Sequence, residues 1–117
     1  MITCTELTAY RGDNKNIRVR IVDGDGVPRD TTGWTIEYQL RVNAEDADPP
    51  VVAKTSATPG EVDAVDVSKG IWDVKLLPAD TNQTAGVYVW DVQATTGAAE
   101  IYTVAFGTLQ ILQDVTR

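Results

Sequence analysis

Histidine is absent from the 117-residue chain, and cysteine occurs once, at Cys4. The first absence removes the side chain that most often serves as general base, metal ligand and pH switch. The second excludes an intrachain disulfide and a thiolate metal cluster, and a single free cysteine suits synthesis in a reducing compartment. We therefore expect a protein that is not an enzyme, with no catalytic residues and no cofactor.

Long apolar stretches are also missing. The longest purely apolar run, residues 87–90, is far too short to span a membrane. Residues 1–6 lack the basic segment and apolar run of a secretory signal peptide, so we expect a chain that is not secreted.

Basic residues are few, since 17 acidic residues stand against 10 basic ones and the net charge is −7. Affinity for a phosphate backbone comes from Lys and Arg side chains that release counterions. We therefore expect neither nucleic acid nor a membrane surface among the partners.

Alternation of apolar and polar residues runs through most of the chain. In residues 34–42 every second residue is apolar, and the residues between them are Thr, Glu, Gln and Arg. No helix separates nine residues in this way, so the pattern predicts a half-buried strand. Further predicted strands lie at residues 17–21, 51–55, 62–67, 70–76, 86–94, 100–106 and 108–113, with a bulge at Gly107 between the last two.

Turn signals separate these strands at intervals of roughly 8–12 residues, which is typical of a β-sandwich. We predict a loop at residues 43–50 and one helical turn at 78–83. The domain assignment is a single all-β sandwich over residues 10–117, preceded by a segment, residues 1–9, that we expect to contact a partner. The predicted core consists of Trp34, Ile36, Tyr38, Leu40, Trp72, Val74, Tyr88, Trp90 and Val92.

Two groups of residues allow a second interpretation. Asp23, Asp25 and Gly26 echo the start of a calcium-binding loop, but position twelve of that loop would be Trp34 instead of Glu. We expect a hairpin turn there and keep Asp23, Asp25 and Asp30 as a candidate site for weak calcium binding. The three tryptophans could form a carbohydrate-stacking platform, yet each lies in phase with the apolar residues of its strand, which favours the core.

Residues 85–90 resemble the strand of immunoglobulin-like domains that begins with a tyrosine corner, with Tyr88 two residues before the core position of Trp90. In an antibody domain a disulfide cysteine would stand at that core position. Other segments extend the likeness over about residues 10–117. They are residues 11–13 (RGD), 22–28 (VDGDGVP), 30–34 (DTTGW), 77–81 (LPADT), 90–91 (WD) and 114–117 (DVTR).

Together these segments resemble small immunoglobulin-like β-sandwich proteins encoded among the structural genes of tailed bacteriophages, and the N-terminal domain of phage baseplate upper proteins. The resemblance implies an immunoglobulin-like antiparallel β-sandwich of about seven to nine strands. One departure is Thr31, where such sequences usually have Leu.

The resemblance also implies a non-enzymatic structural protein of the virion, made in the host bacterial cytoplasm. Its role would be that of a tail or baseplate component or a capsid decoration. The expected partners are other virion proteins, and self-association is a further expectation. The alternative is a stand-alone ligand-binding sandwich, for example for a cell-surface glycan.

Overall fold

The computed structural model describes residues 3–46 and 49–113, with side chains from Glu6 onward. Nearly all of the regular structure is strand, supplemented by a 3-10 turn at Val67–Lys69 and one helical turn, α1, at Pro78–Thr81. The eight strands are β1 (Thr3–Tyr10), β2 (Lys15–Arg20), β3 (Thr35–Arg41), β4 (Val52–Thr55), β5 (Val62–Asp66), β6 (Ile71–Leu76), β7 (Gly86–Thr95) and β8 (Ile101–Leu112).

The strands form two sheets that pack face to face. The larger sheet has the order β1-β8-β7-β3-β4, and the smaller has the order β2-β6-β5. Strands β8, β7, β3 and β4 correspond in order to strands G, F, C and C′ of an immunoglobulin domain, and β1 is added beside G. Strands β2, β6 and β5 correspond to strands B, E and D. The predicted immunoglobulin-like β-sandwich is therefore confirmed. One pair departs from the antiparallel expectation, because β1 runs parallel to β8.

The core lies between the sheets and follows from the alternation in the sequence. Every strand of both sheets contributes at least one buried apolar side chain to the core. The rings of Tyr38 and Trp90 stack there, with centroids 5.8 Å apart. The indole nitrogen of Trp90 also donates to the carbonyl oxygen of Thr108 (3.1 Å). Eight of the nine predicted core residues are buried, namely Ile36, Tyr38, Leu40, Trp72, Val74, Tyr88, Trp90 and Val92.

Two ends of the alternation in residues 34–42 lie outside the core. Trp34 precedes β3 and is half-buried, with the guanidinium of Arg29 4.9 Å above its ring. Val42 is 51% exposed because β3 ends at Arg41, where the chain enters the turn at residues 42–45. The strand predicted from the alternation, residues 34–42, is therefore one residue longer at each end than β3.

The expected bulge at Gly107 is wrong. Strand β8 is continuous over residues 101–112, and Gly107 pairs in register with Trp90 of β7. The shift in register falls instead between Val92 and Gln93 of β7, opposite Val104. Val104 is the unpaired extra residue, and its side chain is buried.

The sandwich also includes most of the segment that we set apart as residues 1–9. Strand β1 pairs with β8 from Thr3 to Tyr10, with Leu7 opposite Leu109 and Ala9 opposite Ile111. Ala9 is buried and Leu7 packs against the core, because both side chains share the inner face with their apolar partners. The predicted boundary at residue 10 is thus the end of a strand of the larger sheet. Among the described residues, no helix is long and apolar enough to cross a membrane.

Candidate interaction surfaces

The sandwich has four edge strands, and two of them are protected against pairing. Strand β4 has only four residues and directs the charged side chain of Lys54 inward. Strand β5 has five residues, carries Asp63 and Asp66, and its ladder with β6 is irregular between Ala64 and Asp66. Short length, charge, inward-facing charge and bulges are the features that prevent edge strands from pairing with other chains.

The other two edges, β1 and β2, are regular and lie on the same side of the sandwich. Strand β1 has eight residues with Glu6 as its one charged side chain, and β2 has six residues in unbroken register with β6. A strand of this length without bulge or proline presents a row of backbone groups that another strand can use. This side of the molecule is therefore the open side of the sandwich.

A groove of about 250 Å³ runs between these two edges. The larger sheet provides the floor of the groove, and residues 16–20 of β2 form one wall. Both the inward and the outward residues of β2 contribute, because the groove follows the backbone edge of that strand. The lining residues are Leu7, Asn16, Ile17, Arg18, Val19, Arg20, Trp90 and Ala105.

The register of β2 shows which of its backbone groups face the groove. The amide of Ile21 donates to the carbonyl of Gly70 at the start of β6, so its backbone faces β6. Because backbone groups alternate in direction along an antiparallel strand, those of Asn16, Arg18 and Arg20 face the free edge. The side chains of these three residues are also exposed.

The rim of the groove is basic, although the chain as a whole is acidic. Residues 14–20 contain three basic residues and no acidic one, in a chain of net charge −7. Arg18 is held by Asp73 of β6, with Nε 2.9 Å from Oδ1 and Nη2 3.1 Å from Oδ2. This pair lowers the pKa of the Asp73 carboxyl and raises the pKa of Arg18. Arg20 projects from the same face beyond it.

Apolar side chains are also exposed on the outer face of the larger sheet, away from the groove. Val87 is 60% exposed on β7, and Phe106 of β8 is 40% exposed. Phe106 lies directly opposite Asp91, whose other cross-strand neighbour is Gln39. Partial burial among these neighbours raises the pKa of the Asp91 carboxyl, and the charge of Arg41 offsets only part of that effect.

One polar cluster lies inside the sandwich beside β4. Lys54 is 8% exposed, and its Nζ lies 2.6 Å from Oδ2 of Asp80 in α1. The hydroxyl of Tyr38, opposite Lys54 in the β3–β4 ladder, is buried without a hydrogen-bond partner. Burial raises the pKa of the Tyr38 phenol, and the negative charge of Asp80 adds to the shift. The ion pair is therefore a structural contact that closes this side of the core.

Two of the three candidate calcium ligands, Asp23 and Asp30, accept hydrogen bonds within turns, and Asp25 takes part through its backbone amide. Oδ1 of Asp23 accepts hydrogen bonds from the amides of Asp25 (2.9 Å) and Val27 (3.0 Å), within the turn that the sequence predicts. Oδ1 of Asp30 accepts from the amide and hydroxyl of Thr32. The bonds from Val27 and Asp25 lower the pKa of Asp23, and those from Thr32 lower the pKa of Asp30. In the part of the chain that the structure describes, no group of three His, Cys, Asp or Glu side chains is arranged to hold a metal ion.

The tyrosine corner is present. The hydroxyl of Tyr88 donates to the carbonyl oxygen of Thr84 at 2.6 Å, which ties β7 to the segment that follows α1. Thr31, where the resembling family has Leu, is fully buried and its hydroxyl accepts from the indole nitrogen of Trp72 (2.9 Å). The same hydroxyl donates to the carbonyl of Val67 (2.8 Å), so the polar side chain gives Trp72 a buried partner.

Trp72 and Trp90 are both buried, and Trp34 lies beneath Arg29. The three tryptophans therefore form no common exposed platform for a sugar ring. Sequence reasoning placed them correctly with respect to the core, except that Trp34 is only partly covered. It did not identify the groove, although the basic character of residues 14–20 in an acidic chain was a visible signal.

No family model matches the chain, and no curated protein matches it. Among solved structures, the chain is similar to one of murine CRIg, with 13% sequence identity and a TM-score of 0.45. The alignment covers 92% of this chain and 92% of that one. The immunoglobulin-like assignment itself rests on the strand order of the two sheets.

Proposed function

We propose that this protein is a non-enzymatic structural component of a tailed-bacteriophage virion that acts through protein–protein contacts. Its place would be the tail, the baseplate or the capsid surface, and its partners would be other virion proteins or further copies of itself. The proposal draws on the sequence resemblance over about residues 10–117.

The structural observation that supports this proposal most is the pair of open strand edges, β1 and β2, beside one groove. Monomeric proteins commonly protect their edge strands, as this one does at β4 and β5. The edges β1 and β2 are longer and unbroken, although β2 carries three basic side chains, Lys15, Arg18 and Arg20. Two regular edges on one side favour a protein whose working state includes a neighbouring chain. We also expect the two terminal segments, residues 1–10 and 108–117, to contact partners. The first contains the β1 edge and the second contains the end of β8, whereas residues 114–117 lie outside the described part of the chain.

Mass spectrometry of purified phage particles tests this function. We expect the protein in particles that withstand a density gradient, at a fixed copy number relative to the major capsid protein. Immunogold labelling should then place it at one position on the tail or head. A non-structural phage protein from the same lysate serves as the control for contamination.

Absence from purified particles, with retention of the purified protein on host cells, would favour the glycan-binding alternative. Absence from both would contradict the virion proposal and that alternative together.

A further inference from the structure

Building on the proposed function, we propose that the groove between β1 and β2 binds one extended segment of another virion protein. We infer that apolar and acidic residues alternate along this segment. The segment would add a fourth strand to the smaller sheet, next to β2, and would cover the open side of the core.

The size of the groove favours a peptide strand over a small organic ligand. Its volume of about 250 Å³ is below the roughly 300–1,000 Å³ typical of small-molecule sites. Five consecutive residues of the β2 edge, residues 16–20, also line the groove. A strand edge exposed beside a groove is the geometry of β-augmentation, where main-chain hydrogen bonds supply affinity.

The backbone of β2 is ready for such pairing. Asn16, Arg18 and Arg20 direct their amide and carbonyl groups to the free edge, as the contact of Ile21 with Gly70 establishes. Each of these residues offers one donor and one acceptor that the smaller sheet does not use.

The side chains around the groove define the pattern of the partner. A strand that pairs with β2 turns every second side chain toward the apolar floor, near Leu7, Ile17 and Val19. The side chains between them point outward beside Arg18 and Arg20. Because Arg18 is already paired with Asp73, acidic residues at those outward positions complement chiefly Arg20. Charge complementarity of this kind fixes register and raises the association rate.

A second copy of the chain fits this groove less well. Pairing β2 with β2 across a two-fold axis would bring Arg18 and Arg20 close to the same residues of the other copy, which is repulsive. The acidic edge of the smaller sheet is β5, but its bulge between Ala64 and Asp66 interrupts a regular ladder. The edges of the smaller sheet thus disfavour a second copy, and the occupant that we propose is a segment of a different protein.

Binding of a fluorescently labelled synthetic peptide tests the groove. The probe is a ten-residue peptide of alternating valine and aspartate, and the measurement is fluorescence anisotropy with the full-length protein at low salt. We expect saturable binding that weakens as salt is added, because the charges at the rim are exposed. A peptide of alternating valine and lysine should bind about tenfold more weakly or not at all.

Two pairs of variants locate the contact. Asn16→Pro removes an amide that faces the free edge and no ladder bond, so we expect lost binding with a preserved fold, whereas Asn16→Ala should bind normally. Arg20→Glu should weaken binding about five- to tenfold. Lys69→Glu changes the net charge equally but lies outside the groove lining, and it should bind like the wild type. Circular dichroism and the melting temperature confirm folding of each variant.

Equal loss of binding in Asn16→Ala and Asn16→Pro, or no binding by the wild type, would overturn the groove assignment. Particle incorporation separates this result from the proposed function. Protein that is present in particles but binds no peptide refutes the groove and leaves the virion role standing. The converse result is a protein that binds the peptide, responds to the Asn16 and Arg20 variants as expected, and is absent from particles. That result supports the groove and refutes the virion role.

Discussion

Tyr38 shows how a single polar atom can oppose the stability of an otherwise apolar core. Its ring stacks on Trp90, and its side chain is fully buried between the sheets. The hydroxyl has no hydrogen-bond partner, although the Lys54–Asp80 ion pair lies on the same side of the core. A buried hydroxyl without a partner costs about 1–3 kcal/mol relative to its hydrated state.

Replacing Tyr38 with Phe removes that hydroxyl and keeps the ring. We expect Tyr38→Phe to raise the free energy of unfolding by about 1 kcal/mol, measured by urea denaturation at neutral pH. Tyr88→Phe is the matched control, because the Tyr88 hydroxyl donates to Thr84 and its loss should lower stability by about 1 kcal/mol. A similar loss of stability in both variants would show that the Tyr38 hydroxyl has a stabilising partner.

At the scale of a strand, the outer face of β7 holds a carboxylate in an unfavourable position. Asp91 is half-buried opposite Phe106, and burial raises its pKa. A carboxyl whose pKa is higher in the folded than in the unfolded state stabilises the fold only while it is protonated. Above its folded pKa, the charged Asp91 therefore costs stability.

The variant Asp91→Asn should consequently be more stable than the wild type at pH 7. The difference should shrink below about pH 4, the usual pKa of an unfolded aspartate, because Asp91 is then protonated in both states. Asp73→Asn should behave in the opposite way. Its pair with Arg18 lowers the pKa of Asp73, so the wild type gains stability above about pH 4 that this variant lacks. Melting temperatures between about pH 3 and pH 7 would check both, and a pH-independent gain for Asp91→Asn would contradict this account.

At the scale of the whole molecule, β1 forms one edge of the larger sheet, next to β8. It joins the first described residues to β8, the last strand, through eight paired positions. Its inner face adds Leu7 and Ala9 to the core and provides part of the groove floor. The strand that lines the proposed partner groove therefore also contributes to the core.

Deleting residues 1–9 should destabilise the domain by about 3 kcal/mol or more, because the deletion exposes apolar core surface and the edge of β8. Urea denaturation measures the loss. Glu6→Ala, which changes an exposed side chain of β1 without breaking its ladder, should stay within about 0.5 kcal/mol of the wild type. A fully stable truncated domain would show that β1 contributes little to the fold, and its binding defects could then be assigned to β1 alone.

Local sequence patterns were enough to predict the all-β class, the inward faces of the strands and the tyrosine corner at Tyr88. These features follow from period-two alternation and from local hydrogen bonds, which neighbouring residues encode. The sequence also indicated the turn at Asp23, whose carboxylate bonds to amides two and four residues ahead.

Features that join distant parts of the chain could not be predicted from local patterns. The parallel pairing of β1 with β8 connects residues about 100 positions apart, and the partner of Trp72 is Thr31. The bulge at Val104 depends on the register between β7 and β8. The position of Gly107 in the sequence did not reveal that register. The basic segment of residues 14–20 marks one side of the groove, but the existence of the groove depends on both sheets, because its floor comes from one sheet and its wall from the other. The strand order within each sheet, which depends on pairing between distant segments, therefore decided which edges are free.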